Sequence, residues 1–170
     1  MKNFLVVLIF IIFAQGISAQ MHYTSVPDPE QPGGVILKGI ISKYIFINDT
    51  SCHWYPESQQ IYSPKENMIE AMAAAKGKYQ FLIFGGSWCE DTHFVLPKFF
   101  MLQEKSGIPD GDICLIGVDR NKQSPGNLSR VFDIQNVPTI IVLKDGKEAG
   151  RVVEYGKTGQ WDAELISFLK

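Results

Sequence analysis

Two short apolar runs separated by a helical pattern do most to restrict the fold. Residues 80–85 (QFLIFG) and 112–119 (DICLIGVD) have strand length and few polar positions, so each is read as a strand covered on both faces. Between them, Phe94, Pro97, Phe99, Phe100, Met101 and Leu102 make one apolar side of a helix that reaches Lys105 before SGIPDGD breaks it. Pro97 is expected to kink this helix. Two strands linked through a helix run parallel. Downstream, SPGNLSRVFDI reads as a short helix, and TIIVLKDGKEAGRVVEY as two strands turning at Asp145-Gly146, a strong hairpin signal. A closing helix over 158–169 buries Trp161, Leu165, Ile166 and Leu169, with Asp162 and Glu164 near its positive end. Upstream, Ser63 is placed to cap a helix over 64–76, with Pro64 first and Glu66 closing a capping box. Met68, Ile69, Met72, Ala73 and Ala75 face its core, and Gly77 ends it. This order predicts an α/β fold: a central mixed β-sheet flanked by helices on both faces, preceded by an N-terminal extension.

The 170 residues carry a formal charge of −2 and are 45% hydrophobic, which excludes a disordered tail and a nucleic-acid binder that relies on net basicity. Residues 1–19 combine Lys2, an apolar run from Phe4 to Phe13 and a small Ala19, and are read as a cleavable signal peptide. The run is about ten residues long against the ~20 that cross a bilayer, so no stable membrane anchor is expected after cleavage. The expected location is periplasmic or secreted. Residues 20–34, with Pro27, Pro29 and Pro32, read as a flexible tether; 35–47 as a strand or two; and 48–58 as a loop with exposed aromatics, Trp54 and Tyr55, which either pack the extension onto the domain or form a partner surface. The division is thus 1–19 signal, 20–62 linker and extension, and 63–170 folded domain.

Three cysteines, Cys52, Cys89 and Cys114, leave at least one thiol unpaired within the chain. Cys114, inside CLIGV, is expected to be a buried small hydrophobe. Cys89 stands in GGSWCEDT, where a strand gives way to a helix. Free N–H groups and the macrodipole there favour a thiolate, while Glu90 and Asp91 oppose it. Thr92, one turn along, can donate its O–H to the sulfur but cannot attack a mixed disulfide. Resolution then needs an outside thiol or another cysteine of the chain, with Cys52 the candidate and an incidental loop thiol the alternative reading of it. His93 shares a helical face with Cys89, as a candidate base or a solvated histidine. Cys52, His53 and the distant Cys89 lack zinc-site spacing, so no metal is expected, and nothing calls for a cofactor.

The order of elements, together with Trp88-Cys89-Glu90-Asp91, Pro97 in the same helix, Val137-Pro138-Thr139 before a strand and Asp145-Gly146 in the last hairpin, resembles the thioredoxin family from Ser63 to Lys170. Among its members, the chain is most similar to secreted bacterial proteins with one active-site cysteine. The resemblance implies that Cys89 is the catalytic nucleophile, that Trp88 shields it, and that the backbone of Val137, before a cis Pro138, pairs with an extended substrate. Two departures stand out: Thr92 occupies the resolving-cysteine position, and Ile83 that of a buried aspartate which moves protons. Implied partners are protein or low-molecular-weight thiols and disulfides. A thioredoxin-like module that binds extended peptides without turnover is the alternative. Peroxide reduction is disfavoured, because Gly86 stands where a peroxidase threonine would be.

Overall fold

The computed structural model describes residues 22–169, so the signal-peptide reading lies outside the described residues. Six strands form one sheet in the order β1-β2-β4-β3-β5-β6. These are β1 (Tyr23–Pro27), β2 (Val35–Ile41), β3 (Tyr79–Gly85), β4 (Ile113–Gly117), β5 (Thr139–Lys144) and β6 (Lys147–Val153). β3 and β4 pair in parallel, Ile83 opposite Leu115, and every other pairing is antiparallel. The α/β reading holds in this mixed sheet. The β5–β6 turn falls at Asp145-Gly146, whose φ values of 52° and 72° suit the tight turn that aspartate and glycine favour.

Helices α1 (Lys43–Asn48), α2 (Trp54–Gln60), α3 (Glu66–Ala74), α4 (Glu90–Ser106), α5 (Leu128–Val131) and α6 (Trp161–Ser167) cover the sheet unequally. One face carries the larger core, in which Phe81 and Ile83 meet Val95, Leu96, Phe99 and Leu102 of α4, Met72 of α3 and Leu165 of α6. The other face packs Leu82, Phe84, Ile116 and Ile141 under Ile134, Leu128 and Phe132. That second cover is short, which explains a correction: Cys114 is exposed rather than buried. It sits opposite Leu82 in the parallel ladder, at the end of β4 away from Val118.

The N-terminal region departs most from the sequence reading. The tether over 20–34 contains β1, and the loop over 48–58 contains a 3₁₀ turn (Thr50–Cys52) and most of α2. Tyr55 is 1% exposed, inside a cluster with Phe46, Trp54 and Phe100. Lys43 of α1, itself buried, donates to Gln103 and Glu104 at 2.8 Å each and lies 3.2 Å from Asp110. The extension is therefore part of the sheet and of the core. Short strands and helices of this kind gain their stability from tertiary packing, which local patterns underestimate. The capping expectation at Ser63 also fails: the N-cap is Lys65, with no side-chain cap, and α3 starts at Glu66. Ala73 is exposed, whereas Met68, Met72 and Ala75 are buried as expected.

Candidate active site

The site forms where β3 ends. Because β3 is buried through Gly85, its last residues deliver Trp88 and Cys89 to the edge of the core before α4 begins. Cys89 is the N-cap residue of α4, half-buried, with φ −100° and ψ 122° and no side-chain cap. Its Sγ donates to the carbonyl of Val137 at 3.2 Å. The Val137–Pro138 bond is cis, and Glu154 N–H donates to Pro138 O at 2.7 Å, tying the segment after β6 to the same place. Trp88 and Cys89, Val137 and Pro138, and Glu154 are thus brought together from three stretches of chain.

Trp88 donates its Nε1–H to Val118 O at 3.0 Å and packs with Cys89 against the second core cluster. A Cβ on Gly86 would come within 2.7 Å of the indole, so the close seating of Trp88 depends on the bare backbone there. Thr92 is wholly buried, and its hydroxyl oxygen accepts the Gly86 N–H at 3.2 Å; the observed bond is to the turn and not, as expected, to the sulfur. A threonine here braces the strand-to-helix turn.

His93 is neither solvated nor aimed at Cys89. Its ring stacks on Trp54 at 4.0 Å, and its Nε2 lies 2.7 Å from Ser87 O, which can only accept, so Nε2 carries the proton. Burial pushes the imidazole below its usual range, with the Ser87 carbonyl and the Glu90 charge opposing. Ser87 in turn donates to Val35 O at 2.6 Å and accepts from Leu37 N–H at 3.0 Å, so β2 holds the turn from the other side. Cys52 does not join Cys89. It is 2% exposed in the larger core, on the wall of a cavity of about 340 Å³ shared with Ser87 and His93, and burial pushes its thiol up.

Residues that sequence reasoning missed complete the surroundings. The Tyr155 phenol, raised to about 12 chiefly by donating a hydrogen bond to the Asp91 carboxylate, packs its ring 5.2 Å from Phe94. Phe94 and Tyr155 are both exposed and leave an apolar surface near Cys89. Ser87 and Tyr155 act across long sequence separations, and no local pattern marks them, whereas Trp54, one of two aromatics offered as packing the extension onto the domain, does so against His93. Chemically, the arrangement offers one accessible sulfur at a helix N-terminus, an adjacent carbonyl on a cis-proline segment, and an apolar rim.

The chain is similar in sequence to known thioredoxins. A Thioredoxin H-type from Oryza sativa subsp. indica is 30% identical over 91 residues, covering 52% of this chain and 70% of that protein. A thioredoxin of Staphylococcus haemolyticus is 32% identical over 74 residues, 42% of this chain and 64% of that one. A solved structure of a Pseudomonas aeruginosa protein of unknown function superposes with a TM-score of 0.55 at 14% identity, over 74% of this chain and 89% of that one, a likeness of fold alone. No protein-family profile matches the chain. The similarity to the Oryza protein places the chain in the thioredoxin family, a family of thiol–disulfide exchange proteins.

Proposed function

We propose that the chain exchanges thiols and disulfides through Cys89 alone, on protein or low-molecular-weight substrates outside the cytoplasm. The observation that carries this reading is the Cys89 sulfur, half-buried at the start of α4 and 3.2 Å from the Val137 carbonyl. The Cys89 thiolate attacks one sulfur of a substrate disulfide. A mixed disulfide forms, the substrate S–S bond breaks, and the leaving thiolate takes a proton from solvent. A second, external thiolate then attacks the substrate sulfur of the mixed disulfide and returns Cys89 as thiolate. The external route is favoured over Cys52 because Cys52 is packed in the core and its thiol is held protonated by burial. An extended substrate docks along Val137 and Pro138, with Phe94 and Tyr155 offering apolar contact. The extracytoplasmic location rests on the sequence of residues 1–19.

Reduction of a glutathionylated peptide by added thiol tests the reading. Turnover by the wild-type protein and its loss in Cys89→Ser, with Cys52→Ala still active, is the expected result. Equal rates for wild type and Cys89→Ser would leave the peptide-binding module as the function.

A further inference from the structure

Arg120 lies just beyond β4, two residues past Val118, whose carbonyl holds the Trp88 indole. Its Nε and Nη2 donate to the two carboxylate oxygens of Asp28 at 2.8 and 2.9 Å. Its Nη1 stands 2.8 Å from Glu30 Oε2. Its guanidinium carbon is 5.2 Å from the centroid of the Trp88 ring. The Asp28 side chain is 0% exposed, and a carboxylate so far removed from water is tolerated only when it is paired; the planar two-point fork is the geometry arginine supplies and lysine does not. Asp28 also accepts the Glu30 N–H and closes its loop through its own N–H to Gly34 O. The β1–β2 loop, Arg120 and Trp88 thus form one connected row, and Trp88 is the chain neighbour of Cys89.

We propose that Arg120, fixed by Asp28 and Glu30, is a positioning residue that holds the Trp88 indole over Gly86 and makes the N-terminal extension a wall of the Cys89 site, favouring slender thiols and disulfides over broad ones. The inference rests on Cys89 being the reacting thiol, but it concerns access to the sulfur and not turnover. Lys38 provides the control. Its 2.7 Å ion pair with Asp119 ties the same two segments together without contacting Trp88.

The test is the rate of Cys89 modification by iodoacetamide and by a bulky aryl maleimide, read by peptide mass mapping in wild type, Arg120→Ala, Arg120→Lys and Lys38→Ala. In Arg120→Ala the maleimide-to-iodoacetamide rate ratio should rise roughly two- to fivefold, the change that corresponds to the ~0.5–1 kcal/mol of an exposed cation–π contact. Arg120→Lys should show a smaller rise, and Lys38→Ala none. An unchanged ratio in Arg120→Ala overturns the proposal. So does an equal rise in Lys38→Ala, which would signal undocking of the extension. A displaced pH profile at constant ratio also overturns it, because Arg120 would then act by charge. If Arg120→Ala does not fold, an unchanged ratio in Arg120→Lys overturns the proposal on its own. Equal glutathionylated-peptide turnover by wild type and Cys89→Ser, alongside the expected ratios, would sink the exchange reading and leave this inference standing.

Discussion

The hydroxyl of Tyr55 is buried with no hydrogen-bond partner among the described residues, and desolvation drives its phenol well above the usual tyrosine range. An unsatisfied buried hydroxyl destabilises the fold, so Tyr55→Phe should be neutral or stabilising by up to ~1 kcal/mol. Phe99→Ala, by contrast, removes a ring that is 0% exposed and should cost about 3–5 kcal/mol. Denaturant melts of the two variants check both. Thr92 permits a sharper residue-scale test, since it stands one turn from Cys89 where a second thiol would resolve a mixed disulfide. Thr92→Cys should release a Cys89-bound partner thiol without added thiol, while losing the hydroxyl bond to Gly86 N–H at a cost of about 1 kcal/mol. Release that still depends on external thiol would show that residue 92 cannot reach the sulfur. The position of Cys89 at the start of α4 was legible at this scale because it depends on a few adjacent residues. The partners of Thr92 and His93 were not, because each helical side chain could turn to several neighbours and the turn at Gly86–Ser87 decides among them.

Among the elements, strands and turns with strong local chemistry are legible in the sequence. The buried runs became β3 and β4, and Asp145-Gly146 became the β5–β6 turn. Because Gly146 sits at φ 72°, Gly146→Ala should destabilise by roughly 1 kcal/mol, measurable as a lowered melting temperature. α1, α2 and β1 are not legible there, and they share a cause. Each is seven residues or fewer and is held by distant partners: Lys43 by Gln103 and Glu104, Gln59 by Pro97 O at 3.1 Å, and Tyr23–Pro27 by β2. A chain beginning at Ser63 would lose β2, whose Leu37 and Ile41 are core residues. We therefore expect the fragment 63–170 to show no cooperative thermal transition; a sharp one would mean that the extension is dispensable.

For the molecule as a whole, stability should fall in two stages as pH falls. His93 is lowered below 6.5, chiefly by burial, so its neutral form contributes stability that is present above 6.5 and lost as pH drops through its depressed folded value. Asp28, lowered below 3.8 chiefly by the Arg120 hydrogen bond, and Asp110, lowered chiefly by that of Tyr44, contribute stability that is complete above 3.8 and lost below it. Urea midpoints measured across acid pH should show both stages, and His93→Gln should remove the upper one. A single stage in wild type would rule out the histidine contribution.

By itself the amino-acid sequence determined the α/β class, the β3–α4–β4 order and the position of Cys89, because hydrophobic period, strand-length apolar runs and turn residues act over a few neighbours. Tertiary structure alone decided that the N-terminal segment joins the sheet, that Cys52 is buried while Cys114 is exposed, and that Asp28 and Arg120 reach across 92 residues to hold Trp88. Those outcomes depend on which surfaces meet once the chain has closed on itself, a property of three-dimensional packing and desolvation that no local pattern contains.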